Sequence, residues 1–211
     1  MKLEIEQSDL LKIIIKQVDN LFCVDDEEKK TISVVLNEVL KRCEYCFSFS
    51  VNKYYRKDGD VYFNPFHSGQ YSIFLYFLSN SIYKRFEHSG TLSSRIYYLN
   101  KCLNGLDLFY EVDMPQVFML DHPVGSVLGR AQYGEFFSFS QNCTVGNNKG
   151  IYPVIGKNVG MLSGSKILGK CEIGDNVIVA ANTYIKDQSV PPYSLVFGSS
   201  PNLVIKEHSR K

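Results

Sequence analysis

Large apolar residues recur at six-residue intervals in the second half of the sequence, and this step constrains the fold more than any other feature. An α-helix repeats its faces about every 3.6 residues and a β-strand every second residue, so neither explains a step of six. A parallel β-helix does, because each hexapeptide supplies one short strand and one corner and directs one apolar side chain into a stacked core. The recurring positions are Val127, Tyr133, Phe139 and Val145, followed by Ile155, Met161, Ile167, Ile173, Val179 and Ile185.

The six-residue step is interrupted once, where ten residues separate Val145 from Ile155. A loop projecting from one corner of the β-helix would produce such a slip. The run Asn147-Asn148-Lys149-Gly150 at this point is rich in turn-forming residues. We therefore predict that residues 146–154 leave the β-helix and line an active site, either their own or that of a neighbouring subunit.

Before residue 105 the apolar spacing is helical instead. It predicts one helix over the first 20 residues, a second opening at the acids of residues 25–28, a third over 67–86 and a fourth over 91–104, with a turn or loop at 52–66. The predicted fold class is α+β by sequence order. The predicted domains are a mainly α-helical domain (1–104), a left-handed parallel β-helix of hexapeptide repeats (105–206) and a tail (207–211).

Composition excludes several classes of partner. A net charge of +1 with 21% charged residues gives no imbalance that would attract nucleic acid or an anionic membrane. The six cysteines are scattered, which favours a reducing compartment, the cytoplasm. Cys43 and Cys46 could form half of a zinc or redox site, but core packing on a helix is the favoured interpretation, so no metal is expected. The apolar run 71–83 is too short to span a bilayer, and the N-terminus has no targeting pattern.

His122 is the strongest candidate for a catalytic side chain. Asp107 lies fifteen residues upstream, and one coil of a three-sided β-helix has about 18 residues, so both fall near the same edge in adjacent layers. A carboxylate there can hold one imidazole nitrogen and leave the other as a general base. A corner histidine without a catalytic task remains the alternative. His67 begins a helix, where a structural role is favoured over a substrate contact.

Several stretches resemble motifs of the serine O-acetyltransferases, a branch of the hexapeptide-repeat (left-handed β-helix) acyltransferases. The resemblance is good over 105–206, thin over about 66–104, and reduced to shared helical character before residue 60. The matching stretches are Phe66-His67-Ser68-Gly69-Gln70-Tyr71, Leu106-Asp107-Leu108-Phe109-Tyr110, Leu120-Asp121-His122-Pro123-Val124-Gly125, Gln141-Asn142-Cys143-Thr144-Val145-Gly146 and the terminal segment 189–205.

The resemblance implies roles for individual residues. It places the family's catalytic aspartate at Asp107, its catalytic histidine at His122 and an acceptor-contacting aspartate at Asp121. Two motifs depart from the family: an Arg-His pair that binds the acceptor's carboxylate is Ile151-Tyr152 here, and another histidine is Phe109. An isoleucine and a tyrosine cannot replace that cationic fork.

The resemblance also implies acetyl-CoA as co-substrate and a homotrimer or dimer of trimers. Acetyl-CoA is expected in a groove between adjacent β-helices, with no metal. Small residues at the corners would leave room for its pantetheine arm, although tight corners alone also favour small residues. The predicted cofactor-binding residues are Gly146, Asn147, Ser163, Gly164, Ala180, Ala181 and Lys186.

The acceptor is the least determined part of the prediction. Loss of the Arg-His pair favours a hydroxyl on a saccharide or saccharide precursor, contacted by Asp121, Tyr152 and His67. One alternative is a serine O-acetyltransferase of cysteine biosynthesis. Another is a catalytically inactive β-helix that serves as an assembly or binding module, against which the spacing of Asp107 and His122 argues.

Overall fold

The computed structural model of the chain describes residues 1–86 and 90–208. The chain divides into two compact units, Met1–Asn104 and Gly105–Lys211, which are described separately below. The last three residues of the predicted tail, 209–211, lie outside the described residues.

The first unit contains the four predicted helices. The third helix lies between the second and the fourth and is buried on all sides over residues 69–82. A helix without a solvent-facing stripe must be the centre of its bundle. None of the helices within the described ranges combines the length and the apolar character needed to cross a bilayer. The helices are α1 Gln7–Phe22, α2 Asp26–Ser48, α3 Ser68–Arg85 and α4 Gly90–Asn104.

The acids before α2 cap its N-terminus, as their position predicts. Asp25 Oδ1 accepts a hydrogen bond of 2.8 Å from the backbone N–H of Glu28, and the Glu28 carboxylate accepts one of 3.2 Å from the N–H of Asp25. This reciprocal pair satisfies two donors that the helix itself leaves unpaired. Near the other end of α2, Cys43 and Cys46 are completely buried, which confirms the core interpretation, and burial raises the pKa of the Cys43 thiol.

The turn predicted within 52–66 is present at Asp58 and Gly59, but it joins two short strands that were not predicted. The segment contains a 3₁₀ turn, Lys53–Tyr55, and a hairpin of β2 (Arg56–Lys57) and β3 (Asp60–Phe63), and β1 (Lys2–Leu3) pairs in parallel with β3. Asp58 and Gly59 connect the hairpin with positive φ at both positions. An Asp-Gly pair is a recognised two-residue hairpin signal, so the sequence carried the information.

The second unit is a parallel β-helix whose short strands stack on three faces. Face A contains β4 Asp107–Leu108, β6 Val127–Leu128, β9 Thr144–Gly146, β12 Lys166–Leu168 and β15 Tyr184–Lys186. Face B contains β7 Gln132–Tyr133, β10 Val154–Ile155 and β13 Glu172–Ile173. Face C contains β5 Phe118–Leu120, β8 Phe137–Phe139, β11 Gly160–Met161, β14 Ile178–Val179 and β16 Ser194–Ser199.

The strand register explains the sequence period. Every third position of the six-residue step stacks on the same face, one full coil from its partner. These side chains are buried and form the stacked core. The predicted layout of helices followed by a parallel β-helix is therefore confirmed. The stacked pairs are Ile155 with Ile173, Met161 with Val179 and Ile167 with Ile185.

One predicted core position is wrong by one residue. Val127 is 42% exposed, whereas its neighbour Leu128 is 2% exposed and pairs with the buried Val145. The coil from Leu128 to Val145 is one residue shorter than the regular coil from Ile167 to Ile185. Because side chains on a strand alternate between faces, a one-residue deletion in a corner moves the inward position from 127 to 128.

An antiparallel hairpin closes the β-helix. β16 pairs with β17 (Asn202–Glu207), and the two strands are joined by Ser200 and Pro201. Glu207, assigned to the tail from the sequence, is the last residue of β17.

The corrected register predicts unequal effects of two adjacent truncations. Leu128→Ala removes a buried side chain and leaves a cavity, so the free energy of unfolding should fall by about 2–5 kcal/mol. Val127→Ala trims an exposed side chain and should change it by about 0.5 kcal/mol or less. Urea denaturation followed by circular dichroism measures both, and a larger loss in Val127→Ala would contradict the register.

Candidate active site

The predicted site residues of the second unit lie along two edges of face A. We call the turns that lead from face C into face A the first edge, and the turns that lead from face A into face B the second edge. Residues 121–126, 140–143, 162–165 and 180–183 form successive layers of the first edge. The loop after β9 and residues 187–189 belong to the second edge.

His122 lies on the first edge in a tight turn. Its φ is +49°, a left-handed conformation that a residue before proline seldom adopts, and its carbonyl accepts a 2.8 Å hydrogen bond from Val124 N. Its imidazole Nε2 lies 3.6 Å from Asp121 Oδ1, and the two side chains are 84% and 72% exposed. The turn therefore presents an imidazole and a carboxylate together at the surface of the unit.

Asp107 begins the strand that stacks next to this turn. Its N–H donates to Ser126 O at 2.9 Å, and it pairs with Val127, only five positions after His122. The following residue, Leu108, points into the core, so the Asp107 side chain points outward on face A. The fifteen-residue offset thus brings Asp107 and His122 to the same edge in adjacent layers. A direct contact between the carboxylate and the imidazole remains a prediction.

Four of the predicted cofactor-binding residues continue the first edge below His122. Gly164 N donates to Gln141 O and Asn182 N donates to Ser163 O, both at 2.9 Å, which stacks these corners one upon another. Ala180 is buried and Ala181 is exposed. At Gly164, φ is +72° and an added Cβ would lie 2.4 Å from Asn182 Oδ1, so the tight corner by itself favours glycine there.

The remaining predicted cofactor residues lie elsewhere. Gly146 and Lys186 occupy the ends of β9 and β15, on either side of Leu168, and Asn147 begins the loop that follows. All three are on the second edge. The predicted cofactor set is therefore divided between the two edges of face A, and its role remains a prediction.

The interruption of the six-residue step is a projecting loop, as predicted, but it spans residues 147–153, because Gly146 ends β9 and Val154 begins β10. Asn148 and Ile151 pair across a turn at Lys149 and Gly150, both of which have positive φ. The N–H groups of Asn148 and Gly150 donate within the loop, to Ile151 O and Asn147 Oδ1.

Hydrogen bonds to Asp187 connect this loop to the next coil. Its carboxylate accepts hydrogen bonds from Asn148 Nδ2 at 2.5 Å and from the backbone N–H of Lys170 at 2.9 Å. The Lys170 bond is the main reason why the pKa of Asp187 lies below its usual range. A carboxylate held by backbone and side-chain donors fixes the base of the loop.

A cavity of about 500 Å³ opens at the second edge, between the loop and the first coil. Tyr152 forms part of one wall, and its ring lies beside Gly129, where an added Cβ would be 3.6 Å from Tyr152 Cε1. The sequence had predicted a site at the loop, which includes Tyr152, Pro153 and Val154, but not the other residues of this cavity. The lining residues are Glu111, Val112, Asp113, Arg130, Ala131, Gln132, Tyr133, Tyr152, Pro153 and Val154.

Arg130 is the notable residue that the sequence analysis missed. Its Nη1 donates to Glu111 Oε2 at 2.7 Å, and its guanidinium carbon lies 5.3 Å from the centre of the Phe109 ring. The one feature of the sequence that could have pointed to Arg130 is its place directly after a corner glycine. Only the stacking of coils shows that it faces Glu111, nineteen positions away.

His67 belongs to the helical unit, where it caps α3. Its Nδ1 accepts a 3.3 Å hydrogen bond from Gln70 N, and its ring packs against Tyr54 and Tyr55. The capping role accounts for a histidine at this position. Its predicted contact with the acceptor remains a prediction.

Comparisons with known proteins agree with the repeat and the fold. The family model "Bacterial transferase hexapeptide (six repeats)" matches residues 152–187. The serine acetyltransferase of Staphylococcus epidermidis is 27% identical over 161 residues, covering 69% of this chain and 68% of that protein. The serine acetyltransferase of Buchnera aphidicola subsp. Schizaphis graminum is 31% identical over 152 residues, covering 69% of this chain and 56% of that protein.

Among solved structures, the serine acetyltransferase of Neisseria gonorrhoeae superposes with a TM-score of 0.70 at 20% identity, covering 96% of this chain and 80% of that one. At this identity the likeness shows the fold. The hexapeptide step, the parallel β-helix with its helical N-terminal unit, and the similarity to serine acetyltransferases together show a serine acetyltransferase-like acyltransferase built on hexapeptide repeats.

Proposed function

We propose that this protein transfers the acetyl group of acetyl-CoA to the hydroxyl group of L-serine. The observation that carries this proposal is the similarity to serine acetyltransferases over 69% of the chain. Structures similar in fold include a Neisseria gonorrhoeae serine acetyltransferase in complex with serine and a serine acetyltransferase in complex with CoA. The comparisons favour serine over the saccharide acceptor predicted from the sequence.

In the proposed reaction, His122 is the general base. The serine hydroxyl oxygen attacks the thioester carbonyl carbon while the imidazole takes the hydroxyl proton. A C–O bond forms, the C–S bond of the tetrahedral intermediate breaks, and the imidazolium returns the proton to the CoA sulfur. Asp107 would hold the imidazole tautomer, and Asp121 would contact the acceptor.

Acetyl-CoA is proposed to lie along face A. The layers containing Ser163 and Ala181 continue the edge that carries His122, so a pantetheine arm on that edge would direct the thioester toward the imidazole. The former carbonyl oxygen of the tetrahedral intermediate carries negative charge and is stabilised by hydrogen-bond donors. The N–H groups of Asn148 and Gly150 already donate within their loop, so donors at a neighbouring corner would stabilise this oxygen.

We further propose a homotrimer in which neighbouring copies share each site. His122 and Tyr152 lie on different edges of face A, so one copy cannot bring both edges around a single small acceptor. A three-sided prism packs about a threefold axis, which places the first edge of one copy beside the second edge of the next.

A cytoplasmic location is proposed from the thiols. None of the six cysteines, all within the described ranges, forms a disulfide. Cys43 and Cys143 are completely buried, and the Cys143 thiol donates to Leu162 O at 3.3 Å. A reducing compartment keeps such thiols unpaired.

A panel of acceptors tests the proposed reaction directly. Purified protein with acetyl-CoA should release CoA thiol when L-serine is added, and mass spectrometry should identify O-acetylserine. D-serine, L-threonine and nucleotide-linked sugars are the comparison acceptors. Preferential turnover of a sugar would restore the saccharide prediction and overturn the proposal.

The role of His122 predicts a specific pattern of rates. His122→Ala should lower kcat by about 10²-fold or more, because it removes the base, while CoA binding stays near wild type. Asp107→Asn should cost less. Because the two groups act as a unit, the double variant should be little slower than His122→Ala alone. Losses that multiply in the double variant would show that the residues act independently.

Mixed trimers test the shared site. One variant carries His122→Ala, and the other lacks residues 148–151, which restores an unbroken six-residue step. Each homotrimer should be nearly inactive, whereas trimers co-expressed from both chains should regain up to about a quarter of wild-type activity, because one interface in four combines two intact edges. Mixed trimers without regained activity would place the whole site within one copy.

A further inference from the structure

The cavity beside Tyr152 contains a charge pattern suited to an amino acid. Of the described residues that line it, Arg130 alone carries a positive charge, while Glu111 and Asp113 carry negative charges. The remaining lining residues are neutral, and two of them, Tyr133 and Tyr152, have hydroxyl groups. A free amino acid needs a cation for its carboxylate and an anion for its ammonium group.

Arg130 makes contacts of different kinds at this cavity, and at least two of them hold its side chain. Its Nη1 donates to Glu111 Oε2 at 2.7 Å, and the guanidinium carbon lies 5.3 Å from the centre of the Phe109 ring. The Arg130 side chain is 53% exposed and that of Glu111 is 30% exposed. A guanidinium has five N–H donors in a planar fork, so one carboxylate does not exhaust its capacity.

Arg130 also lies next to the loop in which the family that this sequence resembles has a positively charged pair and this chain has none. Residues 151 and 152 are isoleucine and tyrosine, in place of the arginine and histidine of the resembling family. The Tyr152 ring rests beside Gly129, the residue immediately before Arg130. A positive charge is therefore present in the same cavity as the loop, but it comes from the preceding coil.

We propose that Arg130 binds the carboxylate of the acceptor and thereby replaces the cationic pair missing from the loop. This inference rests on the proposed acetylation of serine and on the proposed shared site, because Arg130 lies at the second edge and His122 of a neighbouring copy would supply the base. It makes Arg130 a specificity-determining residue, and Glu111 is the neighbouring anion that it contacts. Glu111 and Asp113 lie close enough to the same cavity to receive the ammonium group.

The test compares L-serine with L-serinamide, which retains the hydroxyl and the amine but lacks the carboxylate. Wild-type protein should prefer L-serine. Arg130→Gln should raise the KM for L-serine about 10-fold or more, leave the KM for acetyl-CoA near wild type, and reduce the preference for L-serine over L-serinamide about 10-fold or more. Calorimetric titration with L-serine alone should show the same loss of affinity without turnover.

Three further variants separate recognition from structure. Arg130→Lys keeps the charge but loses the fork and should restore part of the preference. Glu111→Gln breaks the same ion pair and should keep the preference, because both acceptors carry the amine. Arg85→Gln is the matched control, since Arg85 also pairs with a glutamate, at 3.6 Å from Glu38, and also lies near a phenylalanine ring, but in the helical unit. It should behave as wild type.

The outcomes distinguish the two levels of the proposal. If Arg130→Gln folds by thermal melting and keeps the wild-type preference for L-serine, the inference is overturned and the serine acetyltransferase proposal stands. An equal loss of preference in Glu111→Gln also overturns it, because the ion pair would then act only as structure. If wild-type protein neither binds nor acetylates L-serine, the proposed function fails and this inference fails with it.

Discussion

The ladder of parallel hydrogen bonds between coils is the constraint on which the second unit depends. It fixes which residues stack, so any departure from the regular coil length must be absorbed at a corner. On face A the last coil, from Lys166 to Tyr184, has the regular length. The coil from Asp107 to Val127 is longer, the next coil, to Thr144, is shorter, and the one from Thr144 to Lys166 is longer again. The irregular coils contain the proposed dyad, the cavity and the projecting loop, so the candidate site occupies the layers in which the repeat is broken.

This arrangement explains which parts of the fold the sequence could predict. A regular repeat can be recognised directly from the sequence, and so can the apolar faces of the helices and the N-terminal cap of α2. The inward position at Leu128 could not be inferred, because a one-residue deletion in a corner leaves Val127 in phase with the step although the strand has shifted. The hairpin of β2 and β3 was missed for another reason: its strands have two and four residues, too few to show alternation.

The same reasoning separates the predictable and unpredictable parts of the site. His122 and Asp107 were recognisable because one coil separates them and because both lie in motifs. Arg130, Glu111 and Tyr152 meet at the cavity only because three layers stack there. Their partnership depends on the length of two irregular corners, which no period in the sequence reports. The charge that could recognise a carboxylate was therefore visible only in the structure, although its absence from residues 151 and 152 was visible in the sequence.

The exposure of His122 sets a further requirement on catalysis. A carboxylate 3.6 Å from an imidazole interacts weakly when both side chains face solvent, because water screens their charges and competes for their hydrogen bonds. A general base is effective when its geometry is fixed and water is excluded. The backbone of the turn already fixes the position of His122, through its left-handed conformation and the bond to Val124 N. Within the described residues, this imidazole stays open to solvent. The catalytic strength of His122 should therefore depend on assembly and on bound acetyl-CoA more than on further contacts within its own coil.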